Sequence, residues 1–144
     1  MNKKGLSIVM GFIFVLAMVS FLSNTGTVFA QECRIIRIIG GDIEIPDSGI
    51  IEPDTIFLSK GDCVVWFNRF VKEVVKISFQ EGKKCMDVTN APMGFSLNAQ
   101  GCYGTEWIPF GGTSSLRFME KGTYKYTVET KITKTKENGR IIVE

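Results

Sequence analysis

The sequence contains no histidine. That absence excludes Ser-His-Asp and Cys-His nucleophiles, imidazole-bound zinc, haem or copper, and a histidine-based pH switch. Proline is scarce, with four among 144 residues. No segment nevertheless sustains a helical hydrophobic period long enough for a major helix. Net charge is nearly absent too. Seventeen basic and 15 acidic side chains give +2, and Lys3 and Lys4 lie in a leading segment that carries no acid. Beyond that segment the signs balance, so the chain has no overall attraction for nucleic acid or an anionic membrane.

The leading segment reads as an address. Met1-Asn2-Lys3-Lys4 is cationic, Leu6 to Leu22 is apolar, Ser23 to Thr27 is polar, and Val28-Phe29-Ala30 closes with small residues at the two positions a signal peptidase inspects. This layout predicts a signal peptide over 1–30, cut after Ala30, and a single domain over 31–144. The competing reading is an uncleaved anchor, since the apolar run reaches the lower limit for spanning a bilayer. The polar stretch and the cleavage-type ending favour removal. The mature protein is therefore expected to be exported, periplasmic or extracellular, with no membrane attachment.

All four cysteines, Cys33, Cys63, Cys85 and Cys102, follow that segment. An even count in a small exported domain predicts two disulfides, and no pair has the C-x-x-C spacing of a redox or zinc motif. Three connectivities are open. The preferred one pairs Cys33 with Cys63, tying the mature N-terminus to a strand, and Cys85 with Cys102, stapling a long loop.

What is abundant is strand signal. Residues 34–39, 55–59, 63–67, 74–79, 114–118, 123–128 and 140–143 are short runs rich in Val, Ile, Phe, Tyr and Thr, mostly bounded by Gly, Asp or Asn. Tyr124, Tyr126 and Val128 fall on one strand face and Lys125 and Thr127 on the other. Trp66 and Val64 oppose Cys63, Val65 and Phe67, so that strand reads as covered on both sides. Trp66, Phe79, Tyr124 and Tyr126 are expected in the core. About seven strands after residue 30 predict an all-β sandwich.

Residues 81–112 show little strand pattern. Loops longer than about 12–15 residues in compact domains are usually functional or disordered, and the aromatic and cysteine content here argues against disorder. Function is therefore expected in the 82–112 loop, with Tyr103, Trp107 and Phe110 as candidate residues for binding a protein partner.

Lys60-Gly-Asp-Cys-Val-Val-Trp-Phe-Asn68 resembles the GD-x-V-x-W-x-N strand of cupredoxins, the small blue-copper proteins. Gly122-Thr-Tyr-Lys-Tyr126 and Gly139-Arg-Ile-Ile-Val-Glu144 resemble their closing strand pair, and Glu52 to Leu58 the strand before the turn. The resemblance implies a cupredoxin-like Greek-key β-sandwich with a long disulfide-stapled loop. It also implies where copper would sit, and every ligand is missing. A blue-copper site needs two imidazoles, a thiolate and a weak axial ligand. At the matching positions stand Val74 (or Val75), Val128, Lys131 and, for the axial methionine, Glu137-Asn138. No cofactor is expected. A soft Cu(I) site built from Met86, Met93 or Met119 with Cys85 or Cys102 is the remaining route to copper.

The leading expectation is an exported, copper-free, non-catalytic binding or structural module of unknown partner. The alternative is electron transfer or copper handling through a rebuilt, non-histidine site. An enzyme using Asp87, Glu106 or Glu120 is not expected, because no pair of them has a spacing that implies shared work. Lys131, Lys134 and Lys136, interleaved with threonine, read as an exposed hairpin whose lysines discourage edge pairing. Nothing in the sequence sets an oligomeric state.

Overall fold

The computed structural model describes residues 32–40, 49–80 and 89–144. The leading segment 1–30, the cysteine at 85, the methionine at 86 and the aspartate at 87 lie outside the described residues. Within them the chain is all β. The strands are β1 (Cys33–Ile38), β2 (Ile51–Glu52), β3 (Thr55–Leu58), β4 (Cys63–Asn68), β5 (Val75–Phe79), β6 (Thr89–Met93), β7 (Phe95–Leu97), β8 (Tyr103–Thr105), β9 (Thr113–Phe118), β10 (Gly122–Thr130) and β11 (Lys136–Val143). They form two mixed sheets, one ordered β2-β1-β4-β9-β6 and the other β3-β11-β10-β5-β8-β7. The chain changes sheet at most connections. Successive strands therefore usually face each other across the core.

The seven strand runs legible in the sequence are all present, as β1, β3, β4, β5, β9, β10 and β11. The expectation that 81–112 lacks strands is corrected: β6, β7 and β8 lie there, β6 paired with β9 and β8 with β5 and β7. Their residues are poor strand formers, and pairing with established strands supplies what propensity does not. β6 contains Pro92 and Ala91, the latter at φ 50°, and its register with β9 shifts between Asn90 and Met93. An edge strand tolerates both.

Alternation places the core. Val64 and Trp66 of β4, Val75, Ile77 and Phe79 of β5, Leu116 and Phe118 of β9, and Tyr124, Tyr126 and Val128 of β10 point inward and are buried. Val65 and Phe67 on the opposite face of β4 are half-buried. Trp66 sits at the centre with the rings of Phe95, Tyr126 and Phe79 edge-on at 5.2, 5.5 and 5.9 Å. Each such pair adds about 0.5–1.5 kcal/mol beyond the area it buries. Tyr126 fits because its cross-strand partner is Gly139: a Cβ there would come within 2.1 Å of the tyrosine ring. Burial pushes the Tyr126 hydroxyl well above the ordinary tyrosine range, so it stays un-ionised.

β1 and β4 run parallel with Cys33 opposite Cys63, and a disulfide joins the two across a Cα separation of 4.5 Å. This is the first of the two preferred pairings. Cys102 is buried beside β8; its preferred partner, the cysteine at 85, lies outside the described residues.

Candidate functional site

One end of the sandwich is built from three loops, 69–74, 106–112 and 131–135, which two buried polar side chains hold together. Asn68, the last residue of β4, is fully buried. Its Nδ2 donates to the carbonyls of Glu73 (3.1 Å) and Ile108 (3.0 Å), and its Oδ1 accepts from the Phe70 amide (2.9 Å). Its own backbone bonds Gly111 and Gly112. One amide side chain thus ties the first loop to the second. Every polar group it carries is used, which is the condition for burying it.

Glu73 ties the first loop to the third. It is 4% exposed, and its carboxylate accepts from the amides of Ile132 (3.0 Å) and Thr133 (2.8 Å). Burial alone would push this carboxyl up. The N–H groups of Ile132 and Thr133, with the Thr133 hydroxyl and the Lys131 amide, outweigh it and hold the group below the ordinary carboxylate range. The third loop is closed by Thr130, whose hydroxyl meets that of Thr133 at 2.7 Å and accepts from the Thr135 amide at 2.9 Å. A two-bond bridge between Val75 and Ile108 completes the frame.

On this frame stand apolar side chains in water. Phe110 is 61% exposed and Ile132 70%, and Val71 is exposed as well. Trp107 is half-buried, with the Lys131 ammonium 5.7 Å from its ring centre, a cation–π contact. Arg69, Lys72, Lys131 and Lys134 are exposed on the same loops, with Glu106 the acid among them. Lys72 and Lys134 both have positive φ, 65° and 59°.

Of the three binding candidates, Trp107 and Phe110 lie at this end and Tyr103 does not. Tyr103 belongs to the core, 8% exposed and packed against Phe95. It drops out because β8 alternates, sending Tyr103 and Thr105 inward on either side of Gly104. Val71, Ile132, Asn68 and Glu73 were not among the sequence candidates. No local pattern marks Glu73, because its donors come from 59 and 60 residues further on.

The positions matched to copper ligands are partly brought together. Val74 is half-buried and its carbonyl accepts from the Lys131 amide at 3.0 Å. Val128 is fully buried, paired with Ile77 and Glu137. Among the described residues no group of three or more His, Cys, Asp or Glu side chains is arranged to hold a metal ion. Met93 is exposed on β6 and Met119 half-buried after β9. Glu106 and Glu120 are at opposite ends of the sandwich. Glu120 pairs with Lys60 at 3.6 Å, and both are exposed.

No family model and no curated protein matches this chain. Solved structures that are similar to it include mutants of amicyanin, a cupredoxin. The reduced Cu(I) form of a proline-to-glycine mutant has a TM-score of 0.47 and 17% identity over 80% of this chain and 85% of that one. A reduced tryptophan-to-tyrosine mutant has 0.47 and 16% over the same shares. An oxidised methionine-to-leucine mutant has 0.46 and 18% over 75% and 80%. At that distance the likeness is one of backbone course. The copper belongs to those proteins, and the sandwich described above rests on this chain's own strand pairing.

Proposed function

We propose that this chain is an exported, copper-free, cupredoxin-like module that binds a protein partner through the three-loop end and performs no catalysis. One observation carries the reading: Phe110, Ile132 and Val71, each on a different loop, are exposed at an end whose backbone is held by the buried groups of Asn68 and Glu73. Single exposed apolar residues are ordinary. Three from separate loops on a preorganised frame are what a binding surface needs, because little entropy remains to be lost on association. The positive φ values at Lys72 and Lys134 add modest strain at the same place.

The rim defines the partner. Four exposed cations against one exposed acid on these loops, the second acid Glu73 being buried, favour a surface with an apolar knob inside an acidic border. The copper-free part of the reading is supported by the side chains at the matched positions. Val74 and Val128 offer hydrocarbon, and the Lys131 ammonium repels a cation. The Cys33–Cys63 disulfide is compatible with export.

The test is site-specific photo-crosslinking in the host's exported fraction. A crosslinker at position 110 should give a discrete protein adduct, lost on Ile132→Asp, while one at Thr123, exposed at the far end of β10, gives none. Equal adducts from both positions, or none from position 110, would refute the reading. Copper loading followed by dialysis should leave no intense visible thiolate band.

A further inference from the structure

The outer face of the six-stranded sheet carries a second candidate site, distinct from the three-loop end and reaching toward it only through Glu129 and Lys136. Two cavities open to solvent, of about 360 and 410 Å³, lie side by side over β5, β10 and β11 and share Gln80 and Asn138. Each is within the range of about 300–1,000 Å³ usual for small-molecule sites. The first contains Lys125 and Arg140, which are directly opposite one another on β10 and β11. Like charges in that relation destabilise a sheet. Neither is in an ion pair with a described residue, whereas the next charged outward pair along, Glu129 and Lys136, is matched at 3.3 Å.

The groove floor is set by a hydrogen-bond network with a definite polarity. Thr127 Oγ1 donates to Asn138 Oδ1 at 2.8 Å, Gln80 Nε2 donates to the same oxygen at 3.1 Å, and Gln80 Nε2 also donates to Thr127 Oγ1. Among the described residues the Asn138 oxygen is thereby spent and its Nδ2 is left as a donor. The Gln80 nitrogen is spent and its Oε1 is left as an acceptor. Two cations and an amide N–H thus line the cavity as groups that could take an anion, together with Gln80 Oε1 and the Asp54 carboxylate, which could accept from hydroxyls. No aromatic ring lines either cavity, so a sugar would not be held by stacking there.

We propose that the groove over Gln80, Lys125, Asn138 and Arg140 binds an acidic saccharide, the two cations taking its anionic group and the amides its hydroxyls. Arg140 can meet a carboxylate or sulfate with two parallel bonds, and Lys125 supplies the second charge.

The probe is tri-galacturonate, titrated into ¹⁵N-labelled protein, with its methyl ester, a sulfated neutral trisaccharide and inorganic sulfate alongside. Tri-galacturonate should shift the signals of Gln80, Lys125, Asn138 and Arg140, and Arg140→Ala with Lys125→Ala should weaken it at least tenfold. Asn138→Asp, a surface change that inverts one donor, should weaken it severalfold at unchanged melting temperature. Lys72→Ala and Lys131→Ala should have no effect, which separates this site from the apolar end. A preference for the sulfated sugar over the carboxylated one keeps the proposal and assigns the anion. Equal binding of the methyl ester, equal binding of bare sulfate, or insensitivity to Lys125 and Arg140 would overturn it.

Discussion

The two ends of the sandwich are built by opposite means. At the end where β4 begins, the side-chain bonds are local: the Ser59 amide donates to the Asp62 carboxylate at 3.0 Å, and the Tyr124 hydroxyl to the Glu120 carbonyl at 2.8 Å, while the distant ties, Gly61 to Phe118 and Lys60 to Glu144, run from main chain to main chain. The exposed residues of its turns are polar, Lys60, Glu120 and Lys121 among them. At the end where β4 finishes, Asn68 and Glu73 reach partners 40 to 60 residues away, and the residues they leave in solvent include the apolar Val71, Phe110 and Ile132 among the cations. A turn tied to its surroundings by main-chain bonds alone accepts many side chains without losing those ties. A set of loops joined by buried polar groups moves as one piece or not at all, and that rigidity is what lets it present hydrocarbon to water in a fixed pattern.

The largest test of this contrast concerns what ties the ends to the sheets. Replacing Cys33 and Cys63 together by serine opens a loop of 30 residues. The chain-entropy model expects a loss of about 3–4 kcal/mol, read from urea unfolding. The change should leave crosslinking at position 110 intact, because the disulfide sits at the polar end. Next, Asn68→Ala strands the Glu73 carbonyl and the Phe70 amide and leaves the Ile108 carbonyl only its bond from Val75. At about 1–3 kcal/mol for each unmet buried group, a loss of roughly 3 kcal/mol is expected, with the apolar end disordered and partner binding gone. A loss below about 1 kcal/mol would show that Asn68 does not hold the loops.

Glu73 sharpens the comparison through pH. Its carboxyl is held below its ordinary value of 4.5 in the folded protein, so its contribution is present above that value and fades as pH falls through the folded value. The gap in melting temperature between wild type and Glu73→Gln should therefore be full near neutrality and shrink steadily below about pH 4.5. A gap constant down to pH 2 would mean the charge is not what matters. Trp107→Ala should cost about 1–2 kcal/mol, less than the 3–5 of a fully buried ring, since Trp107 is half-exposed. Smallest of all, Asp62→Ala at the polar end removes one exposed local bond, and about 0.5–1 kcal/mol or less should be lost.

That contrast also explains what could be read from the residues in order. The seven main strands announce themselves because side-chain type and alternation act over five or six positions. The polar-end turns do so because Lys60-Gly61-Asp62 and Glu120-Lys121-Gly122 carry their own turn chemistry. β6, β7 and β8 do not, since Ala91, Pro92 and Gly104 argue against strand and only β9 and β5 make them one. Trp107 and Phe110 were legible as aromatic residues in an unpatterned stretch, and Tyr103 looked the same until the inward face of β8 claimed it. Val71 and Ile132 were illegible because a single apolar residue in a loop means nothing until another loop is set beside it. The groove on the six-stranded sheet was hidden for the same reason: Lys125 and Arg140 become neighbours only through the β10–β11 register.

The carboxylate of Glu73 has a consequence in time as well as in energy. Ile132 and Thr133 lie in a surface hairpin turn, where backbone protons ordinarily trade with solvent almost at once. Here both amides are spent on a group carried by the chain just before β5. They can be released only when that buried carboxylate withdraws, by rotation of its side chain or by parting of the loop before β5 from the turn. The turn's exchange is therefore slowed by a carboxylate from another loop, and the most exposed hydrophobic residue of the three-loop end, Ile132, carries an amide that trades with solvent more slowly than its exposure suggests.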